Sequence, residues 1–183
     1  MEYGYAIATN ETYHVFDGFI PEERLISLDL NESFPDFGSD VDVVFDLAWT
    51  ISKNALSITS ALKMSDLVIV PICNEVKAIN AWLNTIAEVL KFNPNVIVVA
   101  TKLKKKGWFV WEQSEDFLNI QNAVHTQISS KIPVLPLKYS AAFDVIFEQE
   151  RSIKEIMQSS PLAAHHYKEV NEQLDRIYQV INK

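Results

Sequence analysis

Apolar positions along this chain fall into two rhythms. Short β-branched runs alternate with longer stretches in which apolar residues recur three and four apart. The short runs predict strands at "YAIAT" (5 to 9), "LISLDL" (25 to 30), "VDVVFDLA" (41 to 48), "LVIVPI" (67 to 72), "NVIVVAT" (95 to 101) and "IPVLPL" (132 to 137). The fourth and fifth are continuous β-branched runs, which predict strands buried on both faces. In the sixth, Pro133 and Pro136 are expected to limit the strand, because proline cannot donate to a ladder. The helical rhythm predicts a helix over residues 75 to 91, with Ile79, Trp82, Leu83, Ile86, Val89 and Leu90 on one face, closed by Asn93-Pro94. It predicts another over 115 to 130, with Phe117, Ile120, Val124 and Ile128, and a docked tail helix carrying Tyr167, Val170, Leu174, Ile177 and Ile181.

Strands that alternate with helices, and that are apolar throughout, imply an α/β fold with a parallel β-sheet flanked by helices on both faces. A length of 183 residues fits one domain, and no repeat or low-complexity linker interrupts it. The hydrophobic share of 48% against 22% charged residues supports a packed core rather than disorder. A net charge of -8 argues against a general nucleic-acid coat and leaves room only for a local basic patch. A single cysteine, Cys73, excludes a disulfide framework and fits a reducing compartment. The start "MEYGYAIATNETY" has no basic segment followed by an apolar run, and no apolar run is long enough to span a bilayer. The expectation is a cytoplasmic protein with no membrane attachment.

In parallel sheets, ligands sit beyond the carboxyl ends of the strands. Asp46 ends an apolar strand and opens a loop, the position of a carboxylate that orients a magnesium ion, or equally of a cap on the following turn. A phosphate loop of the form G-x-x-x-x-G-K-[ST] would be its partner, since backbone N–H groups must approach the phosphates closely. None of the four glycines, Gly4, Gly18, Gly38 and Gly107, stands before a Lys-Ser or Lys-Thr pair. The run "TKLKKKGWFVW" (101 to 111) concentrates Lys102, Lys104, Lys105 and Lys106 after a strand, with Trp108 and Trp111 beside them. Such a cluster either meets a phosphate backbone or is a solvated loop whose tryptophans cover the sheet edge. His165-His166 has no ligand partners at metal spacing, and Glu148, Glu150 and Glu155 read as exposed helix face. No G-x-S-x-G elbow supports a serine hydrolase.

The stretch "DVDVVFDLAWTISKNALSITSALKMSDLVIVPICNE" resembles the middle of ParA/MinD-type ATPases, the deviant-Walker group of P-loop proteins. Their pattern of an Asp-ended strand, a loop, a helix and a phrase like "aDlvivPv" is matched at Ser65-Asp66-Leu67-Val68-Ile69-Val70-Pro71. "VLPLKYSAAFDVIFEQERSIKEI" looks like the family's later strand and alanine-containing helix, so the likeness runs over roughly residues 40 to 182. The resemblance implies a P-loop NTPase-like three-layer sandwich binding ATP and Mg2+. Asp46 would be the Walker B aspartate and metal-shell ligand, with Thr101 and Pro136 near the base. Thr101 stands where the family has an asparagine. The resemblance further implies a homodimer or other oligomer, a ParB-like stimulating partner protein, and nonspecific DNA bound through basic residues, for which the run Lys102, Lys104, Lys105 and Lys106 is the candidate. The family's two-lysine phosphate loop lies on a central first strand, and "MEYGYAIATN" looks like the second strand of such a fold. The expected reading is a ParA/MinD-like partition or positioning protein in truncated or degenerate form. The alternative is an interaction or regulatory module that keeps the fold without hydrolysis. A flavodoxin- or Rossmann-type enzyme lacks the glycine-rich turn it would need.

Overall fold

The computed structural model describes residues 4–10, 20–38, 41–47, 55–104, 110–149 and 151–182. Lys105, Lys106, Gly107, Trp108, Gly18 and Glu150 lie outside the described residues. Six strands and six α-helices are found among the described residues, and every strand pair is parallel. The strands form two three-stranded sheets rather than one, and the chain divides into two compact units, Met1–Asp66 and Leu67–Lys183.

The first unit holds β1 (Gly4–Thr9), β2 (Leu25–Ser27), β3 (Val41–Asp46) and α1 (Leu56–Met64), in the sheet order β2-β1-β3. Period-2 alternation along β3 turns Val43 and Phe45 toward the core and Asp42 and Val44 outward. The core is built on Ala8, Phe34 and Ala61. Phe34 meets the Phe45 ring edge-on at 5.1 Å between centroids, and Phe37 does so at 5.9 Å. The irregular segment before β3 is thus fixed by two aromatic anchors, and the Phe34 N–H donates to Ser60 Oγ at 3.1 Å. β2 is shorter than its apolar run: Leu28 lies past the strand, where its N–H donates to the Thr9 carbonyl at 3.0 Å.

The second unit contains β4 (Val68–Cys73), α2 (Val76–Val89), β5 (Val96–Leu103), α3 (Glu115–Gln127) and β6 (Val134–Lys138). Three further helices follow: α4 (Ala142–Gln149), α5 (Ile153–Gln158) and α6 (Pro161–Ile181). The sheet order is β4-β5-β6. Central β5 is buried throughout Val96–Ala100, as its unbroken β-branched run predicts. β4 departs from that expectation, because Ile69 is 42% exposed on this edge strand. The stripes of α2 and α3 bury Leu83, Ile86 and Val89, and Phe117, Ile120 and Val124. A separate cluster on Ala142, Ile153 and Val170 joins α4, α5 and α6 to Leu137 of β6.

Both strand prolines are explained by ladder parity. In a parallel ladder, the N–H and C=O of one residue face one neighbour and those of the next residue face the other. Val68 N–H donates to Asn95 O at 2.8 Å, so residues 68, 70 and 72 face β5 and Pro71 turns its nitrogen to the outer edge. Val98 N–H donates to Pro133 O at 2.9 Å, which puts Pro136 outward on β6 in the same way. The strand therefore runs through Pro136 instead of stopping there. Pro136 removes no donor from the β5–β6 ladder, and Pro133, whose position faces β5, lies just before the strand begins.

Candidate functional site

The carboxyl end of the first sheet brings Thr9 of β1 opposite Asp46 of β3. Thr9 and the following Asn10 are buried. Asn10 Nδ2 donates to Ser57 Oγ at 3.0 Å, and both the N–H and the hydroxyl of Ser57 reach the Leu30 carbonyl, at 3.3 and 3.4 Å. The first turn of α1 is thereby tied to the end of β1. Asp46 is half-buried, and burial pushes its carboxyl pKa above the ordinary value. Among the described residues its carboxylate has no hydrogen bond or ion pair. Desolvated and unpaired, it is a group whose charge a cation would stabilise. A magnesium ion at a nucleotide draws most of its ligands from water and phosphate, so one carboxylate is a sufficient protein share. Asp46 fits that role. The glycine- and lysine-bearing cradle for the phosphates does not occur in the sequence. No group of three or more His, Cys, Asp or Glu side chains that could hold a metal ion is found among the described residues.

Thr101, Pro136, Lys102 and Lys104 belong to the second unit and lie toward the carboxyl end of its sheet. Thr101 is half-buried and pairs with Cys73 of β4. Pro136 is buried in the body of β6 opposite Ala100, one residue before Thr101. The β5–β6 register shifts between Ala100 and Leu103, and within that irregularity Lys102 has φ 53°. Lys102 and Lys104 are exposed. Asp116, in the first turn of α3, spans two loops: Oδ1 accepts from Asn74 Nδ2 at 2.7 Å and Oδ2 accepts from Lys104 N–H at 3.0 Å.

Trp111 is engaged within the fold. Its Nε1–H donates to Glu169 Oε1 at 2.7 Å, and Lys138 Nζ lies 2.9 Å from Glu169 Oε2 and 5.8 Å from the indole centroid. The Lys138 N–H, facing outward from β6, donates to Gln173 Oε1 at 2.9 Å, which explains a buried glutamine on α6. Trp111 therefore covers the β6 side with α6, the second of the two readings its sequence context allows. His165 and His166 are exposed, and Cys73 is a half-buried free thiol. Glu155 is more than exposed helix face, since it completes a capping box with Ser152.

Thr9, Asn10, Ser57, Asn74 and Asp116 escape motif reading. The one local signal for the first pair is a Thr-Asn step straight after an apolar strand. Asn10 and Ser57 are 47 residues apart, and only the tertiary fold brings them together. No described helix is long and apolar enough to cross a membrane. Comparison of the chain with family models, with curated proteins and with solved structures gives no match.

Proposed function

We propose that the chain is a ParA/MinD-type ATPase-family protein of plasmid or chromosome partition or of cellular positioning, in a form whose 183 residues hold no phosphate loop. The observation that carries the proposal is Asp46, a half-buried carboxylate with no hydrogen bond or ion pair among the described residues, at the carboxyl end of an apolar parallel strand. It stands in a chain whose parallel strands alternate with helices, the α/β pattern that the resemblance implies. In this reading Asp46 orients the magnesium shell of ATP, and Thr101 and Pro136 lie near the base. Lys102 and Lys104, with Lys105 and Lys106, meet nonspecific DNA. The working form is a homodimer or higher oligomer, stimulated by a ParB-like partner.

Binding of a fluorescent ATP analogue with Mg2+ to the whole chain, repeated with Asp46→Ala, tests the nucleotide half. We expect weak binding that the substitution reduces by about tenfold or more, since a charge-assisted contact to a metal shell is lost. Absence of binding at high nucleotide concentration removes the ATPase reading. The second reading then stands, a non-catalytic interaction or regulatory module. It is favoured by one specific observation, the lack of a glycine-lysine phosphate cradle in a chain of alternating strands and helices.

A further inference from the structure

The strand β5 ends in an arrangement that the lysines alone do not explain. Lys102 sits at φ 53°, a region that L-residues other than glycine avoid because Cβ approaches the carbonyl oxygen. Such a residue persists where its surroundings over-determine it. On one side, Leu103 is buried and its carbonyl accepts the Tyr139 N–H at 2.9 Å. On the other, the Lys104 N–H is held by Asp116 Oδ2 at 3.0 Å. Asp116 itself is rigidly placed. Ser114 caps α3 by accepting the Phe117 N–H at 3.3 Å, and Phe117 is 1% exposed. The second carboxylate oxygen takes Asn74 Nδ2 at 2.7 Å and so fixes the turn after β4 to the turn after β5.

The carboxylate is directed at a backbone N–H and an amide, not at an ammonium group. Lys102 and Lys104 are left exposed and without an ion pair among the described residues. We infer that Asp116 is a positioning residue: it clamps the turns after β4 and β5 so that Lys102 and Lys104 project together toward the phosphate backbone of duplex DNA. The inference rests on the DNA-binding half of the reading above and adds the group that sets the geometry of that surface.

The test uses the whole chain in three forms, wild type, Asp116→Asn and the double variant Lys102→Ala, Lys104→Ala. Anisotropy of a fluorescein-labelled duplex is followed across salt concentration, and amide hydrogen exchange is measured at Leu103 and Lys104. Each phosphate neutralised contributes about 0.9 to the slope of log affinity against log salt, so loss of both lysines lowers the slope by about 1.8. Asp116→Asn is expected to free the Lys104 amide to exchange about tenfold faster and to move the salt slope toward that of the double variant, with exchange in α3 unchanged. A merely structural aspartate would leave the slope where it is. A folded Asp116→Asn chain with wild-type slope, or with an unchanged Lys104 amide, overturns the assignment while leaving DNA binding intact. A wild-type chain that gives no anisotropy change removes the DNA half of the proposed function and this assignment with it. Should Asp116→Asn fail to fold, Asn74→Ala removes one arm of the clamp alone, and the same shifts in smaller measure are expected. Their absence counts against the clamp equally.

Discussion

At the scale of single residues, Asp46 carries the main chemical tension in the first unit. Its carboxyl pKa is raised by burial, so between the ordinary carboxylate value of about 3.9 and its own raised value the folded chain binds more protons than the unfolded one. Stability attributable to this group therefore falls as pH rises through that window. Asp46→Asn should flatten that part of the stability–pH profile and raise the melting temperature at neutral pH, as read by thermal unfolding across a pH series. A variant that melts lower than wild type at neutral pH would mean that an unseen partner already stabilises the charge. The place of Asp46 at the end of β3 was readable in advance, because the apolar alternation of residues 41 to 45 marks the strand that it closes. The Asn10–Ser57 bond and the Asp116 clamp were not readable. Both link residues on separate elements, and no local spacing encodes such a pair.

The six strands and the helices α2, α3 and α6 were written in the rhythm of apolar positions, α1, α4 and α5 were not, and side-chain caps mark the starts of α3, α5 and α6. α6 begins at Pro161, well before the stripe that starts at Tyr167, because Ser160 accepts the Ala163 N–H at 3.1 Å and proline suits the first helical position. α5 is only six residues long and depends on its box. Ser152 Oγ accepts the Glu155 N–H at 3.3 Å, and Glu155 Oε2 accepts the Ser152 N–H at 2.8 Å. The hydrogen bonds from Ser152 hold the Glu155 carboxyl below the usual range. Their contribution is thus present above the unfolded pKa and fades as pH falls through the lower, folded one. Ser152→Ala should cost about 1 kcal/mol in urea unfolding at neutral pH and lose part of that acid-side dependence. An unchanged midpoint would show that packing of Ile153 and Ile156 alone carries α5. The pattern of β4 misled in one respect. A continuous β-branched run reads as doubly buried, but an edge strand keeps the same composition with Ile69 exposed.

For the molecule as a whole, the α/β class and the parallel pairing followed from strand–helix alternation, whereas the division into two sheets depends on which strands find neighbours. Among the described residues β2, β3, β4 and β6 each pair on one side only, and Val44 on β3 is 61% exposed. Open edges invite pairing with another chain. We therefore expect self-association, seen as a concentration-dependent sedimentation coefficient. Pro71→Val, which adds an outward N–H to β4, should shift the distribution to larger species. A chain that stays monomeric in both forms would remove the oligomer from the reading. The two outward prolines also have a consequence for folding fidelity. If β4 or β6 slipped by one position against β5, Pro71 or Pro136 would enter the inner ladder and a donor would vanish from it. Each proline is thus a parity check on its strand: silent in the native alignment, and penalised by a missing bond in the nearest wrong one.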